Sequence, residues 1–71
     1  MNKDVLETIY LYKKKVKEAY EVHQNNLARI LAEYDNEKDY IREYVKETDR
    51  YIQECNDIKS EFVIDSINAM V

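Results

Sequence analysis

The sequence predicts an all-α protein folded as an antiparallel helical hairpin, and three observations carry that prediction. Glycine and proline are both absent from the 71 residues, which removes the residues that hairpin corners and phosphate-cradling loops ordinarily demand. Apolar residues recur at heptad spacing in two columns. One runs Leu6, Lys13, Tyr20, Leu27, Tyr34, Ile41, Thr48, Cys55, Phe62, and the other Ile9, Val16, His23, Ile30, Glu37, Tyr44, Tyr51, Ile58, Asp65, both mostly apolar. The third observation is the dipeptide Asp35-Asn36 at mid-chain, poor in helix propensity and good at capping, followed by the acidic Glu37 and Asp39 that suit a first helical turn.

Taken in order, the first element is a helix from about residue 3 to residue 34 and the turn lies at 35–36. A second helix follows from about 37 to 70, all within one domain spanning residues 1–71. Two further capping sequences, "HQNN" at 23–26 and "NDIKSE" at 56–61, allow additional breaks, the latter giving a short third C-terminal helix. Because the heptad register does not slip across the midpoint, the alternative is a single helix of about 60 residues, roughly 90 Å long, in a parallel coiled coil.

Folding the chain back near Asn36 tests the hairpin. Ile9 then meets Phe62, Val16 meets Cys55 and Ile58, Leu27 meets Tyr44 and Val45, and Ile30 meets Ile41. His23 falls opposite Thr48, close enough to share a hydrogen bond. Arg29 falls near Glu43, and the Lys13, Lys14, Lys15, Lys17 cluster near Glu54, Asp57 and Glu61. Apolar residues remain outside the seam: Val5, Tyr12 and Ala19 on one flank, and Tyr10, Leu31, Val45 and Ile52 on others. Such faces call for cover, from a homodimer forming a four-helix bundle or from another protein.

Composition narrows the function. One cysteine, Cys55, excludes an internal disulfide framework, and one histidine, His23, with it is too few for a structural zinc site. The seam spacing puts the two roughly 16 Å apart, too far to cooperate. The expectation is therefore no enzyme and no cofactor. No apolar run approaches the length of a membrane span, which together with the free thiol predicts a cytoplasmic protein away from the membrane.

Formal charge is −4, unevenly placed: residues 1–34 hold 6 basic and 5 acidic side chains, residues 35–71 hold 5 and 10. That balance disfavours nucleic-acid binding, and the basic row Lys38, Arg42, Lys46, Arg50 reads as a solvated face paired at i, i+3 with Asp39, Glu43 and Glu47.

The functional expectation is a small acidic regulator, adaptor or assembly factor acting by protein–protein interaction. Its contacts come from Tyr40, Tyr44 and Tyr51 and from the apolar C-terminal stretch Phe62, Val63, Ile64, Ile67, Met70 and Val71. The alternative, from a different class, is a viral or mobile-element inhibitor of a nucleic-acid-handling enzyme. Its acidic face of Asp39, Glu43, Glu47 and Glu54 would imitate phosphates.

Overall fold

The computed structural model describes the backbone of residues 2–70 and the side chains of residues 5–70. Among them are two helices, α1 (Asn2–Glu33) and α2 (Glu37–Met70), packed against each other along their length. The hairpin predicted from the mid-chain cap is present, and the single straight helix is excluded. Both "HQNN" and "NDIKSE" lie inside unbroken helix, so α2 runs to Met70 without a separate C-terminal helix. Their asparagines and serine are tolerated because neighbouring turns hold the helix, whereas at Asn36 three residues in a row leave it.

Asn36 acts as the cap that its side chain suggests. Its Oδ1 accepts the backbone N–H of Lys38 at 2.8 Å and of Asp39 at 3.4 Å, satisfying donors that the first turn of a helix leaves free. Its carbonyl accepts the N–H of Tyr40 at 2.9 Å, the first hydrogen bond of α2. No described residue has a positive φ, so the turn closes without the left-handed conformation that glycine supplies elsewhere.

The seam is thin. Ala19 and Ile30 are the apolar side chains buried outright, at 4% and 3% exposure, flanked by half-buried Ile9, Tyr12, Val16, Leu27, Tyr51, Ile58 and Phe62. Tyr12 packs on Phe62 with ring centroids 4.3 Å apart. One predicted column holds, with Ile9, Val16, His23 and Ile30 lining the seam, while the other is displaced by one residue on α1. Val5, Tyr12 and Ala19, expected on a flank, face the partner helix, while Leu6, Tyr20 and Ile41, expected inside, are exposed.

The reason for the rotation lies at the centre, where His23 and Glu47 are buried at 8% and 7% exposure. His23 Nδ1 lies 2.8 Å from Glu47 Oε2, and not against Thr48 as predicted. Thr48 Oγ1 is buried and finds no hydrogen-bond partner among the described residues. Desolvating a carboxylate costs several kcal/mol unless donors surround it, roughly what is lost by exposing two or three apolar side chains. The orientation that gives Glu47 its donors therefore prevails over the one that buries Leu6 and Tyr20.

Candidate functional site

Two edges flank the seam, and they differ in chemistry. On one, Lys15 Nζ reaches across to Glu61 at 3.1 Å, and Asn26 Nδ2 donates to Glu47 Oε1 at 3.0 Å. These contacts fix which side of each helix forms that edge. Arg29, Glu43, Lys46, Glu47 and Arg50 line a shallow depression along it. Leu11 and Val22 are exposed apolar residues of that side.

Helical geometry then assigns the opposite edge, since side chains advance about 100° per residue and the two helices run antiparallel. Leu6, Tyr20, Leu27 and Leu31 lie there on α1. Ile41, Val45, Ile52, Val63 and Met70 lie there on α2, and all but half-buried Leu27 are exposed. The result is one apolar flank built by both helices, its charges being the lysines Lys13 and Lys59 with Lys17 and Lys38 at its margins, and Glu37 beside Ile41 at the turn end.

The predicted contact residues divide between these places. Tyr51 stacks on His23 at 4.1 Å and 7°, and Phe62 packs on Tyr12, so both fill the seam. Tyr40 is half-buried and Tyr44 exposed near the turn, their rings 5.9 Å apart. Val63 and Met70 are exposed on the flank, Ile67 on the outer side of α2, and Ile64, about five full turns from Lys46, toward the ionic edge. Val71 lies outside the described residues. Sequence reading missed Leu6 and Tyr20 as surface residues, having placed them in the seam, although the same heptad columns marked them as apolar.

The predicted acidic face is held by its own chain. Asp39 pairs with Arg42 at 3.2 Å, and Glu43 lies 3.4 Å from both Arg42 and Lys46. Glu54 accepts from Arg50 at 3.1 Å. Glu47, expected on the solvated face, is buried, accepting from Arg50 Nε and a terminal guanidinium nitrogen, each at 2.8 Å, as well as from Asn26 and next to His23. The Arg50 hydrogen bonds, aided by His23 and Asn26 and opposed by burial, hold its carboxyl at a pKa of about 2. At Glu43 partial burial acts upward, but Arg42 and Lys46 outweigh it and the pKa is lowered. The Arg50 pKa is raised by Glu47 and Glu54 in turn.

His23 and Cys55 are nearer than the sequence placed them. Tyr51 stacks on the His23 ring, and Cys55, one helical turn beyond Tyr51, acts with burial to raise the Tyr51 pKa. With His23 opposite position 49, as the register already placed it, Cys55 lies only six residues further, roughly 9 Å along the seam, so the separation of roughly 16 Å was an overcount. Among the described residues no group of three His, Cys, Asp or Glu stands together to hold a metal ion. A gap beside Tyr12, Ile58 and Phe62 measures about 10 Å³, room for one water. No helix among the described residues is long and apolar enough to cross a membrane. Comparison with known family models, with curated proteins and with solved structures gives no match for this chain.

Proposed function

We propose that this chain acts without catalysis, as a small helical interaction protein whose working surface is the apolar flank formed jointly by α1 and α2. The observation that carries this reading is the position of Leu6, Tyr20 and Leu31 on the same edge as Ile41, Val45, Ile52, Val63 and Met70. Scattered exposed apolar residues are ordinary on a protein surface, but a contiguous stripe on two rigid helices is a groove-and-ridge surface of the kind partner helices occupy. A compartment without disulfide formation, such as the cytoplasm, suits the free thiol of Cys55.

Phosphate mimicry draws less support, because Asp39, Glu43, Glu47 and Glu54 each have an arginine or lysine of the same chain beside them. A partner's cations would have to displace those internal ones.

The two readings separate by mutation and salt. The double variant Val45→Asp/Ile52→Asp is expected to keep its helical circular dichroism while losing whatever complex the wild-type chain forms. The wild-type complex should survive about 0.5 M salt, where the Debye length has shrunk to roughly 4 Å. A complex that is indifferent to the flank substitutions and dissolves in salt would reject the flank as the working surface.

A further inference from the structure

Resting on the flank as the working surface, we propose that its occupant is a second copy of this chain, docked with its long axis reversed so that two hairpins form a four-helix bundle.

The area requires a partner about the size of the chain itself. A compact folded chain of 8.6 kDa exposes about 4,700 Å², whereas this one exposes 5647 Å². The excess, roughly 950 Å², is comparable to the ~800 Å² that each partner buries in an interface of standard size. The face has the matching dimensions, since the Cα atoms extend 53 Å along the hairpin and 15 Å across it. With Ala19 and Ile30 alone buried outright among the described apolar side chains, one layer of two helices encloses too little apolar surface to offset chain entropy. A second copy is present at equal concentration whenever the chain is made, and two such layers enclose a core between them.

Charge chooses the orientation. Lys13 and Lys59 stand on the flank at nearly the same height, roughly 33 and 36 Å from the turn at the helical rise per residue. A two-fold axis parallel to the hairpin lays α1 over α2 of the second copy and brings Lys13 against Lys59 twice. An axis across the hairpin lays α1 over α1 and α2 over α2. The two Lys59 side chains then stand roughly 20 Å apart along the bundle, beyond the ~10 Å reach of unscreened repulsion at ordinary salt. Lys17, at the margin, comes level with Glu21 of the second copy. Apolar residues meet along α2, with Ile41 level with Val63 of the second copy. Ile52, near the midpoint of α2, faces its own counterpart across the axis.

The register gives the test. Sedimentation equilibrium of the full chain is expected to give twice the chain mass. In a Cys55→Ser background, Ile52→Cys is expected to form a nearly quantitative disulfide-linked dimer on mild oxidation. Ile41→Cys in the same background is expected to form none. Circular dichroism confirms that each variant is helical. A dimer that fails to link at position 52, or links at position 41, overturns the reversed arrangement. A chain that sediments as a folded monomer overturns self-association altogether. In that event an apolar dye distinguishes the two levels of the argument: a monomer that binds the dye on its flank leaves the surface open to another protein, and one that binds none removes the working surface too.

Discussion

The two edges of the hairpin solve the same problem in opposite ways. Along one, the buried carboxylate and its neighbours are answered from within the chain: Lys15 by Glu61, and Glu47 by His23, Asn26 and Arg50. Along the other, apolar side chains that could have entered the seam stand outside it, with Leu6 and Leu31 each 66% exposed. A carboxylate withdrawn from water has few acceptable surroundings, while a leucine left in water costs only a few kcal/mol and can recover them by binding something. The difference teaches that the ionic edge is where this chain satisfies its own groups, and the apolar flank is where it leaves apolar surface in water.

Substitution at Glu47 should break that contrast most severely. Glu47→Ala removes the acceptor shared by His23, Asn26 and Arg50, and should cost about 3 kcal/mol, toward the lower end for a buried pair because Arg50 is partly exposed. Urea unfolding followed by circular dichroism, at one fixed chain concentration, measures it. A loss below about 1 kcal/mol would mean that the buried carboxylate does not set the helix orientation.

Acid should erode the same edge. The Glu47 pKa is depressed in the folded chain from the usual 4.5 to about 2, so its contribution is fully present above pH 4.5 and is lost as pH falls through about 2. The stability gap between wild type and Glu47→Gln, which has no proton to take up there, should therefore narrow steadily over that window. A gap that stays constant would contradict the assignment.

Thr48 gives a smaller effect of opposite sign. Its hydroxyl is buried without a partner, so Thr48→Val, nearly the same shape, should raise the urea midpoint by the equivalent of about 1 kcal/mol. The smallest effect belongs to the rim: Lys15→Ala should cost about 0.5 kcal/mol or less, since both partners of the Lys15–Glu61 pair are half in water. If that exposed pair proved worth as much as the Glu47 cluster, the distinction between a buried and a solvated ionic contact would fail here.

Much of this was legible in residue order. The absence of glycine and proline, the heptad columns and the Asp35-Asn36 cap specify two long helices and the place where they part, because those are local preferences that act over a few residues. The i, i+3 pairing of Asp39 with Arg42 and Glu43 with Lys46 was legible for the same reason.

The burial of Glu47 was not, and neither was the exposure of Leu6 and Tyr20. A heptad pattern gives an apolar stripe more than 100° wide on each helix, and several rotations within that width satisfy it about equally well. Which rotation holds depends on contacts between residues more than 20 positions apart, above all a carboxylate on α2 finding a histidine and an asparagine on α1. The sequence determined the helices and their turn through short-range preference. Only the tertiary structure decided which side of them faces inward, because the cost of burying a charge is settled by what stands across the seam.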